Sequence, residues 1–218
     1  MILNKIKNFK SPKRRNLVSI TNPDSRISEQ YRSIWANLKY IKRNTRSQRL
    51  LITSPNEGDG KSTSAANLAV TMAMQKEKVL LIDANLRNPA LDYIFKLTNA
   101  RGLSDVLIGS HSFEEAVHPS RIGRLDILTS GPLLDYPAEL IESERMGELL
   151  KMADSLYDIV IIDAPAILNI TETKLLANKC DGVVIIIKDS KTKREDALTA
   201  KKALKRIESN IVGLIMNG

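Results

Sequence analysis

Leu50-Leu51-Ile52-Thr53-Ser54-Pro55-Asn56-Glu57-Gly58-Asp59-Gly60-Lys61-Ser62-Thr63 joins an apolar run to a glycine-containing turn and then to a helical pattern. A strand that ends in such a turn and opens a helix aims several backbone N–H groups at one spot, where the helix dipole also favours negative charge. Within that frame Glu57, Gly58, Asp59, Gly60, Lys61, Ser62 and Thr63 read as a phosphate-binding loop. Lys61 is the residue to reach terminal phosphates, and the Ser62 hydroxyl the one to ligate magnesium. The usual pattern is G-x-x-x-x-G-K-[ST], and Pro55 stands at its first glycine position. The flanking strand and helix carry the reading past that departure.

From Leu50 onward, short β-rich runs alternate with helical patterns. Strands are expected at Leu50–Thr53, Val79–Asp83, Leu125–Leu128, Ile159–Asp163, Val183–Ile187 and Ile211–Met216. Helices are expected from Lys61 to about Gln75, near Glu142–Ser155, near Glu172–Asn178, and from about Lys193 to Ile207. Strand runs that are apolar at nearly every position, interleaved with helices, are what a mainly parallel sheet covered on both faces requires. The expected fold class is therefore α/β, doubly wound, with helices on both faces. Ligands in such sheets bind beyond the carboxyl ends of the strands. Upstream, Ile27, Tyr31, Ile34, Trp35, Leu38 and Ile41 fall at helical spacing and predict a helix from about Ile27 to Lys42. Thr192-x-x-Glu195 reads as a capping box for the helix after it.

Two further strands end in aspartate. Leu80-Leu81-Ile82-Asp83 runs into Ala84-Asn85-Leu86-Arg87-Asn88-Pro89, and Ile159-Val160-Ile161-Ile162-Asp163 into Ala164-Pro165. Parallel strands point their carboxyl ends the same way, so both acids belong at the sheet edge that carries the phosphate loop. Magnesium takes hard oxygen ligands and keeps several waters, so Ser62, Asp83 and Asp163 with phosphate oxygens form a candidate shell. Taken alone, a strand-end aspartate is more often a turn or helix cap.

The net charge of +8 is unevenly placed. Residues 1–48 hold 12 Lys/Arg against Asp24 and Glu29, a balance of +10, and the rest of the chain sums to −2. Aromatics are only 4% of the sequence, too few for the stacking platforms of a nucleic-acid binder. An acidic protein or an anionic membrane surface is the expected neighbour of the basic arm, and nucleic acid is not. Ile2, Leu3, Ile6 and Phe9 fall near one side of a helix, so the arm reads either as a disordered basic tail or as a weak membrane-surface anchor. The only cysteine, Cys180, rules out an internal disulfide. No apolar run is long enough for a membrane span, and the N-terminus lacks a signal-peptide core, so the expected location is cytoplasmic.

Ser54–Thr63, Leu80–Pro89 and Val160–Pro165 together resemble the Walker A, Walker A′ and Walker B elements of the bacterial protein-tyrosine kinases of capsule and exopolysaccharide synthesis, the BY-kinases. The resemblance continues through Ser28-Glu29-Gln30-Tyr31-Arg32, Asn67-Leu68-Ala69, Thr129–Pro132, Pro137–Leu140 and Ile215–Gly218. It implies a P-loop NTPase fold, ATP and Mg2+ as cofactors, and phosphoryl transfer to protein tyrosines. Carried over residue by residue, it gives Lys61, Asp83 and Arg87 catalytic roles. Lys61 stabilises developing charge, Asp83 activates the tyrosine hydroxyl, and Arg87 contacts phosphate or a neighbouring subunit. It also makes Asn217 a candidate adenine contact. Gram-positive members are separate cytosolic chains activated by the cytosolic tail of a membrane adaptor, which implies recruitment to the inner face of the cell membrane. The expected division is a basic arm over residues 1–25 and a kinase domain over 26–218. That domain begins with a docking helix whose Glu29 and Arg32 serve self-association.

Several positions depart from the pattern. Asn85 stands where the family has a second aspartate, which weakens base catalysis or magnesium affinity. Trp35 replaces the arginine that ends the subunit-joining helix motif. The tyrosines Tyr31, Tyr40, Tyr93, Tyr136 and Tyr157 are scattered, so either the protein lacks the family's terminal tyrosine cluster or the cluster lies beyond Gly218. Two rivals follow. An ATP-binding regulatory scaffold with impaired kinase activity is favoured by Asn85. A division-site or plasmid-partition-type ATPase is disfavoured by Asn56, where those relatives carry a second lysine. Asn178-Lys179-Cys180-Asp181 spells a guanine-binding motif but ends a helix instead of following a strand, and is read as chance.

Overall fold

The computed structural model describes residues 17–39, 47–168 and 170–218. The amphipathic pattern of Ile2, Leu3, Ile6 and Phe9 and the expected helix end at Ile41 and Lys42 lie outside the described residues. In chain order the elements are α1 (Val18–Thr21), α2 (Arg26–Leu38), β1 (Gln48–Thr53), α3 (Lys61–Met74), β2 (Val79–Asp83), α4 (Leu91–Phe95), α5 (Leu103–Ile108), α6 (Phe113–Ala116) and β3 (Val117–Pro119). They continue with β4 (Leu125–Leu128), α7 (Pro137–Glu142), α8 (Glu144–Leu156), β5 (Ile159–Asp163), α9 (Thr171–Ala177), β6 (Gly182–Lys188), α10 (Arg194–Arg206) and β7 (Ile211–Asn217).

The described strands form one sheet in the order β3-β4-β2-β5-β1-β6-β7, parallel throughout except for the short edge strand β3 against β4. The chain winds outward from β1 in two directions, through β2 and β4 on one side and through β6 and β7 on the other. That reversal opens a crevice at the carboxyl edge of the central strands. Every residue of β2 and of β5 is buried, because helices cover both faces, and all their side chains are apolar except the terminal Asp83 and Asp163. On one face Leu50, Ile52, Leu81 and Ile161 meet the apolar side of α3 and the Tyr31 and Leu38 side chains of α2. On the other, Leu51, Leu80, Val160 and Ile162 meet Leu149 and Leu150 of α8, Leu176 of α9 and Leu204 of α10.

Local chemistry sets the element ends. Ser25 caps α2 by accepting the Ser28 N–H at 3.2 Å, and Ser143 caps α8 by accepting that of Met146 at 3.4 Å. The capping box read at Thr192 and Glu195 does not form. Lys193 is the N-cap residue and makes no side-chain cap bond, and the Thr192 hydroxyl turns back to accept the Lys188 N–H at 2.8 Å. Thr192 thus closes the turn leaving β6, and Glu195 acts only through its charge in the first turn of α10.

Part of the stretch read as an arm is folded. Ser19 of α1 is buried, its N–H donates to Asn67 Oδ1 at 3.1 Å, and its hydroxyl lies 3.1 Å from that of Thr71. The packed unit therefore reaches back at least to Leu17. Among the described residues no helix is long and apolar enough to cross a membrane.

Candidate functional site

Parallel pairing brings the strand ends together. Asp163 stands opposite both Ile52 of β1 and Asp83 of β2, and Lys188 of β6 stands opposite Asn217 of β7. The loop leaving β1 closes over this edge. Gly58 and Gly60 take the left-handed conformation, with φ of 78° and 92°, which is why two glycines occur within three residues. Gly60 is the N-cap of α3 and supplies no capping side chain, so the first N–H groups of that helix remain available to an anion. Lys61 and Ser62 occupy the first turn of α3, both buried, and Lys61 Nζ donates to Ser62 Oγ at 3.3 Å.

A cleft of about 490 Å³ lies over the loop. Its lining includes the expected residues Glu57, Gly58, Gly60, Lys61, Ser62, Thr63 and Asn217, together with Asn85, Asn88, Ala90, Pro165, Ala166, Lys188 and Gly218. The opposite wall is thus the loop after β2, the loop after β5 and the ends of β6 and β7. Asn217 Nδ2 donates to the Asp59 carbonyl at 3.0 Å, so the last strand holds the phosphate loop in place. There is no spare room at that junction, since a Cβ on Gly60 would fall 2.0 Å from Asn217 Nδ2.

Asp83 and Asp163 are fully buried beside the cleft. Asp83 organises the loop that follows it. Its Oδ2 accepts the N–H groups of Ala90 and Leu91 at 2.8 and 2.9 Å, and its Oδ1 accepts that of Asn85 at 3.2 Å. Burial and the adjacent charge of Asp163 push the Asp83 carboxyl above the usual carboxylate range, against the opposing pull of those three N–H groups. Two oxygen-rich strand ends next to the Ser62 hydroxyl and an open helix N-terminus suit a hard cation held between protein and phosphate. The glycine cradle suits the phosphate itself. The residues present therefore fit a magnesium–nucleotide complex.

The comparisons with known proteins agree with this chemistry. A family model described as an AAA domain matches residues 49–211. Tyrosine-protein kinase YwqD of Bacillus subtilis (strain 168) is 46% identical over 212 residues, which cover 97% of this chain and 90% of YwqD. The chain belongs to the bacterial tyrosine-kinase family. Solved BY-kinase domains have the same fold. The crystal structure of the chimerical protein CapA2B2 superposes with a TM-score of 0.88 at 33% identity, covering 92% of this chain and 88% of that one. The kinase domain of Escherichia coli tyrosine kinase ETK superposes with a TM-score of 0.89 at 26% identity, covering 98% and 84%.

Against that BY-kinase background, the departures have definite surroundings. Asn85 is buried on the cleft wall, and its amide bridges its own loop. Nδ2 donates to the Asn88 carbonyl at 2.7 Å, and Oδ1 accepts the Asn88 N–H at 3.3 Å. A carboxylate could make only the second of these bonds. Arg87 lies outside the cleft lining. Its guanidinium pairs with the buried Glu172 carboxylate of α9, Nε donating at 2.9 Å and Nη2 lying at 2.8 Å, which ties the loop after β2 to the helix after β5. Arg32 donates to Glu29 at 2.7 Å and to the Pro23 carbonyl at 2.9 Å, on an exposed face of α2.

The Asn178–Asp181 stretch is at the wrong end of the sheet for a base contact. Asp181 Oδ2 accepts the Arg49 N–H at 2.8 Å, near the amino end of β1. Sequence reasoning missed Lys188, Pro165 and Ala166 as lining residues. Each stands at or just past the carboxyl end of a predicted parallel strand, and that rule alone would have found them.

Proposed function

We propose that this kinase uses magnesium–ATP to phosphorylate protein tyrosines in capsule or exopolysaccharide assembly, with a membrane adaptor as its activator. The observation that carries the reading is the junction of a buried Lys61–Ser62 helix start with two strand-end aspartates in register. Backbone N–H groups of Glu57–Lys61 cradle the phosphates, and Lys61 balances charge that develops on the transferred group. Ser62 and Asp163 hold the metal, directly or through water. When bound, magnesium would supply positive charge against the phosphate oxygens.

Asp83 is the group to take the proton of the attacking tyrosine hydroxyl. A carboxyl raised toward neutrality is better matched to that task than an ordinary one. Asn217, at the end of β7, is the candidate adenine contact, and Arg87 the candidate contact to phosphate or a second subunit. The chimerical protein CapA2B2 supports the adaptor-dependent form of the reading, and the resemblance of Ser28–Arg32 on α2 to the family's subunit-joining motif supports self-association there. The work then takes place at the inner face of the cell membrane.

A second reading, an ATP-binding scaffold with weak kinase activity, is favoured by Asn85, whose amide is committed to its own loop. Incubation of the purified chain with labelled ATP, magnesium, a tyrosine polymer and the adaptor's cytosolic tail separates the two. Phosphotyrosine supports the kinase reading. Bound ATP without transfer supports the scaffold, and no ATP binding removes both.

A further inference from the structure

The phosphate loop carries a carboxylate of its own. Asp59 stands between the two left-handed glycines and is completely buried, in a loop whose expected ligand is a polyanion. Its Oδ2 accepts the Asn56 N–H at 3.1 Å. Facing its Oδ1 is Lys191 Nζ, at 3.9 Å. Lys191 comes from the turn between β6 and α10, outside every nucleotide motif in the sequence. Its ammonium also donates to the Glu57 carbonyl at 2.7 Å and sits 2.8 Å from where a Cβ on Gly58 would project. From the same side, Asn56 Nδ2 donates to Asp196 Oδ2 of α10 at 2.8 Å.

A buried carboxylate with no counter-charge is costly, and at this position it would also repel the phosphates. Lys191 is half exposed, so its own desolvation is modest while its partner is fully desolvated. We propose that Lys191 is a positioning residue of the nucleotide site. It neutralises Asp59 and pins the Glu57–Gly58 peptide, so that an incoming triphosphate meets the N–H cradle and Lys61 without opposition from the loop's own carboxylate. This rests on the nucleotide reading above. It adds a residue that acts through Asp59 and Glu57 and touches no reacting atom.

The test is a charge-rescue series read by calorimetry with magnesium–ATP and by thermal unfolding of the nucleotide-free chain. Lys191→Met weakens ATP binding roughly tenfold, about 1.4 kcal/mol, and lowers the unfolding midpoint. Lys191→Arg keeps parent behaviour. The double variant Lys191→Met with Asp59→Asn recovers most of both losses, because the uncompensated charge is gone. Parent-like behaviour of Lys191→Met in both measurements overturns the proposal. So does an equal loss in the single and double variants, which would make Lys191 a direct nucleotide contact. Should the parent itself bind no ATP, the nucleotide reading fails. The unfolding comparison then decides by itself whether Lys191 compensates Asp59.

Discussion

Asp83 and Asp163 stand directly opposite one another in the register of β2 and β5, two completely buried carboxylates at adjacent strand ends. Neighbouring strands are about 4.8 Å apart, too close for two charges to ignore each other in a dry interior. The consequence is measurable without any ligand. The folded state holds the Asp83 proton more tightly than the unfolded chain does, because its carboxyl is raised by burial and by Asp163. The stabilisation from that proton is fully present below the ordinary carboxylate range and is lost as pH rises through the raised value. The unfolding midpoint of the nucleotide-free chain should therefore carry a downward component between the ordinary carboxylate range and neutrality. Asp83→Asn should remove that component. A variant profile parallel to the parent's across this window would contradict the coupling.

Lys61→Met should leave the fold intact and abolish magnesium-dependent ATP binding in calorimetry. Lys61 is buried at the start of α3, where an apolar chain of similar length packs in its place. Undiminished affinity would remove the phosphate-loop assignment.

Asn85→Asp should have two opposite effects. The variant loses the Nδ2 bond to the Asn88 carbonyl and adds a third carboxylate beside Asp83 and Asp163, so the nucleotide-free chain should lose about 1 kcal/mol of stability. Phosphotransfer to an appended tyrosine acceptor should rise by at least about tenfold, some 1.4 kcal/mol of barrier, with a much smaller change in ATP affinity. If the parent already matches the variant in rate, Asp83 alone suffices and the scaffold reading loses its support.

Arg32→Glu should both break and reverse the exposed pair on α2. An intrahelical pair at this spacing contributes only a few tenths of a kcal/mol to the helix, so the thermal midpoint should hardly move. Light scattering in the presence of the adaptor tail should shift from oligomer to monomer. Assembly like the parent's would reduce Glu29 and Arg32 to a local ion pair.

The sheet was legible because its central strands are buried on both faces. Val79–Asp83 and Ile159–Asp163, apolar up to their terminal aspartates, appear in the structure with the bounds expected from sequence, as does Leu125–Leu128 despite its half-buried Asp126. The edge strand β3 was not legible. Val117-His118-Pro119 is three residues long, ends in proline and alternates too briefly to register. Helices α4, α5 and α6 are too short to show a period. The loop at the site was read from its glycines and lysine, but its bracing was not. Lys191 meets Glu57, and Asn217 meets Asp59, across 134 and 158 residues of chain, and no local pattern marks a single lysine or asparagine for that task.

The contact between Gly60 and Asn217 also sets what a mutational scan of this chain can tolerate. A side chain at 60 must live at a φ of 92°, which alone disfavours every residue with a Cβ. It must also evict the Asn217 amide from the Asp59 carbonyl, because the two groups compete for one space. Substitutions at 60 and at 217 should consequently be non-additive. Once Asn217 has been shortened to alanine, the steric half of the penalty at 60 disappears and only the backbone half remains. In a pairwise library, alanine at 60 should be enriched beside alanine at 217 and depleted beside asparagine, a signature that isolated single substitutions would miss.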